Sequence, residues 1–416
     1  MSSTAERPSL IYDLAIIGGG IAGAGIARDA ALRGIQTVLF EKNTFGSGTS
    51  SKSSKLIHGG IRYLEIAWDA LKKGRLGEAW KNFRFVFLAL KETHILAKIA
   101  PSLVKPFFLL IPVYETGGRK PLSVYTGGLV YSFMAFLSGA GLSSFARILG
   151  KPESALALVP GLKKEGLKGA ILVRDHWTQD LELVKATLHS AEKSGAEAFE
   201  YAEVTAYRWD ASKNVYEIET QIDGQPRLFH TRKLVNASGA WVDQLRQKGG
   251  EAGEPLIMPV AGCHIHLKKF SPYSVILQAE DKRIFFVINM EEIARVGTTE
   301  RIEKNPDHVE ATEEEVNYLL LELARYFPDL NAGKKDILST DAGIRPLARP
   351  SKEDSAHSVS REHEIVTGPS GVLHILGVKL TDHRRAAEEI VDKLVPDLAK
   401  QNPAIRTRSL TRTQPL

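Results

Sequence analysis

Cysteine is almost absent. The single Cys263 among 416 residues excludes an intramolecular disulfide and any zinc cage built on several thiolates. A lone thiol reads as a small apolar core residue and suits a reducing compartment. A targeting leader is not evident either: MSSTAERPSL has no cationic stretch running into an apolar one, so a cytoplasmic location is expected. Charge of one sign is scarce, with 54 Lys+Arg against 49 Asp+Glu leaving +5. That balance favours acidic ligands or anionic lipid but is too dilute for a nucleic-acid surface, and no nucleic-acid motif accompanies it. Long apolar runs are missing with one exception. Pro121 to Ala146 carries no charged residue, yet Gly127, Gly128, Gly139, Gly141 and six hydroxyl residues dilute it. It therefore reads as a buried or interfacial helix rather than a membrane span.

What is present is ordinary globular composition, 43% hydrophobic and 25% charged, in a chain long enough for two lobes. Tyr12 to Ile17 reads as a buried strand, Ile21 to Arg33 as a helix rich in small residues, and Thr37 to Glu41 as a second strand. The Gly/Ser/Thr-rich stretch from Phe45 to Ser54 is a loop, and Ala67 to Ala100 has helical apolar spacing. Asp180 to Gly195 reads as a helix, Glu203 to Thr220 as two strands, and Lys233 to Asn236 as another buried strand. Four extended segments between Gly262 and Thr298 predict an antiparallel sheet in a second lobe. Thr312 and Glu315 form a capping box. Val372 to Leu376 is a strand and Thr381 to Leu394 a helix.

Strands of one nucleotide-binding lobe thus occur at both ends of the chain, with the other lobe inserted. The expected class is α/β, a Rossmann-type FAD-binding domain with an inserted antiparallel-sheet substrate (capping) domain. The expected boundaries are 11–100, 150–250 and 335–398 for the first, 101–149 and 251–334 for the second. Flexible termini are expected at 1–10 and 402–416.

Gly18, Gly20 and Gly23 match G-x-G-x-x-G directly after a strand and at the start of a helix. The first glycine permits the turn, the second lets a diphosphate approach the backbone, and the third lets helix and strand pack closely. Glu41, at the end of the second strand, is placed to accept from ribose hydroxyls. This unit alone does not separate NAD from FAD.

The run Thr49-Ser50-Ser51-Lys52-Ser53-Ser54-Lys55-Leu56-Ile57-His58-Gly59-Gly60-Ile61-Arg62-Tyr63 resembles the FAD-dependent glycerol-3-phosphate dehydrogenases, of the D-amino-acid-oxidase-like flavoprotein superfamily. Asn236-Ala237-Ser238-Gly239, Gly297-Thr298-Thr299, Gly343-Ile344-Arg345-Pro346-Leu347 and Gly377-Val378-Lys379-Leu380-Thr381 agree with it in order. The resemblance implies FAD as cofactor, glycerol 3-phosphate as substrate, a quinone as electron acceptor and peripheral association with a membrane. It implies cofactor contacts at Gly18, Gly20, Gly23, Glu41, Lys42, Thr49, Ser50, Ser54, Leu56, His58, Gly59, Gly60, Val204, Ser238, Gly239, Gly377, Val378, Lys379, Leu380 and Thr381. Arg62, Tyr63, Arg345 and Arg361 are assigned to substrate binding, with the arginines on the phosphate. His264 is assigned to proton acceptance, and Lys379 to the substrate oxygen or the flavin N1 side. Metal is not expected.

The chain departs from the family at the last motif. Val378 stands where a glycine is usual, and Asp382 puts an acid in the first turn of the following helix, where it would oppose a negatively charged reduced flavin. The chain also ends where many members continue into a helical domain. Two other readings stay open: a related flavoenzyme acting on another small hydroxy acid or amine, and a non-catalytic flavin-binding protein.

Overall fold

A computed structural model describes residues 10–115, 121–349 and 362–416. The chain divides into two units, Met1–Ser51 with Gln179–Pro259 and Arg345–Leu416, and Lys52–Thr178 with Val260–Ile344.

The apolar run Ile11–Ile17 becomes the central strand of the first unit, buried along nearly its whole length. It pairs in parallel with Thr37–Phe40 on one side and Gln225–Asn236 on the other. Glu197–Phe199 and Leu373–Leu376 extend this parallel core at its two edges. Ala202–Asp210 and Val215–Ile222 form a hairpin whose second strand pairs antiparallel with the first half of Gln225–Asn236. Helix Ile21–Leu32 is rich in alanine and glycine and buried on almost every side. Such a helix is tolerated only where neighbours cover all its faces. The helices Asp180–Lys193 and His383–Gln401 cover it.

The second unit is built on a sheet in the spatial order Arg301–Ile302, Ile257–Lys268, Ile293–Gly297, Ile284–Met290, Ser274–Gln278, Val104–Tyr114, Leu167–Thr178 and Leu56–Ile57. The pairings are antiparallel except between Ser274–Gln278 and Val104–Tyr114. A core of Leu110, Cys263, Ile265, Val275, Phe285, Val296 and Leu319 lies under helix Glu313–Tyr326. Thr312 caps that helix, its hydroxyl accepting from Glu315 N–H while the Glu315 carboxylate accepts from Thr312 N–H. Cys263 is fully buried.

The α/β class and the inserted sheet are as expected, but several elements differ. The expected long helix from Ala67 is two, Arg62–Lys72 and Leu76–Ile99, because Gly74 turns the chain at φ +71°. Residues 52–100 and 150–178 belong to the second unit rather than the first. The reason is hydrogen bonding: Leu56 and Ile57 pair with Trp177 and His176 in its sheet. The uncharged segment forms helix Pro121–Ala135 and a π turn Phe136–Ala140. Leu122–Ala140 is long and apolar enough to cross a membrane by length and composition, yet only 22% of it is buried. Leu122, Phe133 and Leu137 are exposed, so among the described residues this helix is not buried in the core.

The expected mobile tail is instead pinned. Arg33, on the first helix, has no exposure and pairs with Asp29 at 2.7 Å and Asp392 at 2.6 Å. It also donates to Thr407 O at 3.0 Å, while Arg406 N–H donates to Arg33 O at 2.9 Å. Ser409 Oγ bonds Asp29, and Arg28 reaches Gln414 O at 2.6 Å. The basic tail is satisfying buried charges on the helix that follows the glycine turn.

Removing one member of a fully buried ion pair strands the other in low dielectric. Asp29→Ala is therefore expected to lower unfolding stability by about 3 kcal/mol in urea titration, with protease cleavage appearing first within the released tail.

Candidate functional site

In the first unit the glycine turn has the strained geometry its residues allow. Gly18 adopts φ +110°, and a side chain there would meet Ala237 O at 2.6 Å. At Gly23 a Cβ would lie 1.9 Å from Gly18 O, so only glycine lets the helix approach the strand end this closely. Gly20 is the N-cap of Ile21–Leu32 and offers no side chain; the first turn holds no acid. With no acid in the helix's own first turn, its positive end suits a diphosphate.

Around this turn the other expected cofactor residues are held in place. Ser50 Oγ accepts from Ile21 N–H at 2.9 Å, and Thr49 lies in the adjoining turn Thr49–Ser51. Glu41 accepts from Gly19 N–H at 2.7 Å and Asn43 N–H at 2.9 Å. Each carboxylate oxygen keeps a further lone pair for a ribose hydroxyl. The Lys42 ammonium sits 4.4 Å over the Trp241 ring. Val204 is buried at a register shift, its carbonyl accepting from Lys248 Nζ at 3.0 Å. Ser238 Oγ donates to Asn236 Oδ1 at 2.6 Å and precedes Gly239. These features fit the dinucleotide portion of FAD.

Gly377, at φ +66°, opens the C-terminal loop; Val378, Lys379 and Leu380 are half-buried and Thr381 is buried. Asp382 closes the loop through its N–H to Lys379 O at 3.0 Å. Its carboxylate is matched: Arg385 donates from Nε at 2.7 Å and from its terminal nitrogen at 2.9 Å, and His363 Nδ1 lies at 2.6 Å. Glu389 accepts from His363 Nε2 at 2.8 Å and from Arg385 at 3.0 Å. The acid expected to oppose negative charge on a reduced flavin is therefore the centre of a locally neutral cluster. Burial disfavours a charged His363, but its hydrogen bonds to Asp382 and Glu389 prevail and push it up to about 9. Burial likewise raises Asp382, and the bonds from His363 and Arg385 outweigh it. Arg345 is half-buried in the same unit, whereas Arg361 lies outside the described residues.

In the second unit Leu56 is buried in its strand, and His58 Nδ1 accepts from Gly60 N–H at 3.0 Å. Gly59 and Gly60 are filled by the chain's own packing, since side chains there would meet Leu90 at 2.5 Å and Tyr63 at 2.8 Å. Gly59 N–H donates to Tyr131 Oη at 2.9 Å, and Tyr131 donates to Asp175 Oδ2 at 2.7 Å. Complete burial pushes Asp175 up to about 8. Arg62 is exposed at the start of its helix, and Tyr63 packs on Phe85 at 4.6 Å.

His264 is buried at 3% exposure. Its Nε2 is 3.0 Å from Ser54 Oγ, while its Nδ1 is 2.9 Å from Arg295 and 3.2 Å from Asp341. Arg295, also buried, forms a fork onto Asp341 and lies 2.6 Å from His266 Nε2. Burial alone would raise Asp341, but its polar neighbours His264 and His266 and the cationic fork of Arg295 hold it well below the usual carboxylate range. Sequence reasoning missed Arg295, Asp341, His363 and Arg385. The signal for Arg295 was an arginine between Ala294 and Val296 in an apolar strand; the others carried none.

A family described as FAD dependent oxidoreductase matches residues 13–381. The aerobic glycerol-3-phosphate dehydrogenase of Bacillus subtilis is 35% identical over 395 residues, 94% of this chain and 68% of that protein. The glycerol-3-phosphate dehydrogenase of Synechocystis is 33% identical over 439 aligned positions, 100% of this chain and 75% of that protein. Among solved structures, the glycerol-3-phosphate dehydrogenase of Bacillus halodurans complexed with FAD superposes at TM-score 0.72 with 29% identity, covering 93% of this chain and 65% of that one. The chain thus spans about two thirds of the length of such relatives.

The His363 cluster makes stability depend on pH in a defined direction. A histidine raised to about 9 when folded contributes fully below its unfolded value of about 6.5 and loses that contribution as pH rises through about 9. We expect a loss of about 3 kcal/mol over this window in urea titrations, abolished in His363→Gln.

Proposed function

Since the chain belongs to the FAD-dependent oxidoreductase family, we propose that it oxidises sn-glycerol 3-phosphate to dihydroxyacetone phosphate and passes the electrons to a quinone. The observation that carries this reading is identity of 33–35% to glycerol-3-phosphate dehydrogenases along almost the whole chain. FAD held by the glycine turn would supply a two-electron acceptor for the C2 hydride.

The chain's own residues bind and orient. Gly18, Gly20 and Gly23 take the diphosphate, and Glu41 takes the ribose hydroxyls. Arg62 and Arg345 are assigned to the substrate phosphate, where a planar fork matches paired oxygens; Arg361 retains the same assignment from sequence. Lys379 is assigned to the substrate oxygen or the flavin N1 side, and Tyr63 to the substrate pocket. His264 Nε2, now on Ser54 Oγ, is assigned to the C2 oxygen. The locally neutral setting of Asp382 removes its objection to a flavin reduced at the neighbouring loop.

Peripheral association with the cytoplasmic face of a membrane belongs to the same proposal. Supporting it, Trp68, Leu76 and Trp80 are exposed on the two helices after the flavin loop, as are Leu122, Phe133 and Leu137. Lys72 lies over the Trp68 ring, and paired tryptophan and lysine suit the headgroup level of an anionic bilayer.

Anaerobic addition of glycerol 3-phosphate is expected to bleach the flavin of the purified protein. Arg345→Ala should raise the half-saturating concentration by about a hundredfold, from loss of a charge-assisted contact of roughly 3 kcal/mol. Bleaching by a hydroxy acid or amine and not by the phosphate ester would replace the substrate. Sedimentation with anionic vesicles should fall by about tenfold for each of Trp68→Ser and Trp80→Ser, the loss of roughly 1.5 kcal/mol of buried apolar area.

A further inference from the structure

We infer that Arg295 fixes His264 as a neutral imidazole with its proton on Nε2, so that this histidine donates a hydrogen bond to the substrate's reacting oxygen instead of taking its proton. The inference rests on the reading of the protein as a dehydrogenase of a small hydroxylated substrate, and it reverses the polarity that the sequence suggested for His264.

Each terminal nitrogen of a guanidinium carries two hydrogens and no usable lone pair. One Arg295 nitrogen faces Asp341 Oδ2 and His266 Nε2, the latter at 2.6 Å. The other faces Asp341 Oδ1 at 2.8 Å and His264 Nδ1 at 2.9 Å, with Lys52 O more distant at 3.4 Å. Four hydrogens meet four close acceptors, which requires lone pairs on His266 Nε2 and His264 Nδ1. The remaining ring nitrogens then carry the protons and have partners: His266 Nδ1–H donates to Ser339 Oγ at 2.8 Å, and His264 Nε2–H to Ser54 Oγ at 3.0 Å.

The opposite tautomer puts His264 Nδ1–H on Asp341 at 3.2 Å. It would set that N–H against an Arg295 N–H 2.9 Å away and leave one arginine hydrogen only the 3.4 Å contact. Protonating both ring nitrogens meets the same obstacle. Among the described residues, charged and titratable groups on this face of His264 include Arg295, Asp341 and His266, and the first two pair as a fork. A neutral imidazole so polarised at Nδ1 is a good donor at Nε2, able to hold the oxygen on which negative charge develops as hydride leaves C2. The hydroxyl proton goes to solvent water.

Two measurements decide this. Heteronuclear NMR of the histidine rings in the holoprotein, with His264 assigned by the signal lost in His264→Gln, is expected to show an Nε2–H tautomer across about pH 6 to 8. An Nδ1–H tautomer, or an imidazolium titrating in that range, overturns the inference. Separately, the amide nitrogen of His264→Gln reaches the Nε2 position and donates but is no base. It should keep substrate-driven flavin reduction within about tenfold of the parent, while His264→Ala loses about 10²–10³-fold. Equal loss in the two variants also overturns it. If glycerol 3-phosphate reduces no flavin in the parent protein, the substrate reading fails, and the NMR result still decides the tautomer.

Discussion

A charge taken out of water must be matched, and both units are organised around a buried arginine whose hydrogens are nearly all spoken for. In the first unit Arg33 is the C-cap of the helix that begins at the glycine turn. It gathers Asp29, Asp392 and Thr407, and so ties that helix to the C-terminal helix and to the terminal segment beyond it. In the second, Arg295 joins two sheet strands through Asp341, His264 and His266. Isolated burial of any of these groups would be prohibitive; collected into forks they become rigid. Rigidity is what a cofactor turn needs, and what the proposed role of His264 needs as well.

The same rule explains the Asp382 cluster. An acid at the N-cap of a helix, as Asp382 is, is favourable for that helix, but beside a loop proposed to meet a reduced flavin it would be a liability. Arg385 one turn on, and His363 from the preceding segment, remove the net charge while leaving the helix stabilisation in place. The cost is a pH window, because the balance depends on His363 staying protonated.

How much of this was legible in the sequence follows from the range of each constraint. The glycine turn was legible because its causes are local: Gly18 needs a positive φ and Gly23 has no room for a Cβ, both within a few residues. The Thr312 and Glu315 cap was legible for the same reason. The strands Val104–Tyr114 and Leu167–Thr178 were not. Pro106 and Pro112 interrupt one, and Arg174, Asp175 and His176 sit in the other, so neither shows clean alternation; they exist because each pairs with the other over its length. Their absence from the reading also displaced the domain boundaries, since residues before them belong to the sheet they build. The tail failed in the opposite sense: its basic, aperiodic composition looks unstructured until the buried acid it serves is known.

Long-range convergence sets the harder limit. His264 and His266 were recognised as sharing one face of a strand, but the polar partners that bear on their tautomers, Arg295 and Asp341, come from other strands. A histidine near a hydroxyl is usually read as a base because its unperturbed titration lies near neutrality. That reading assumes a ring nitrogen free to receive a proton at the substrate end, and a donor-only neighbour on the opposite nitrogen removes the assumption. The identity of a residue gives its range of chemistry, and the hydrogens pointed at it from behind choose within that range.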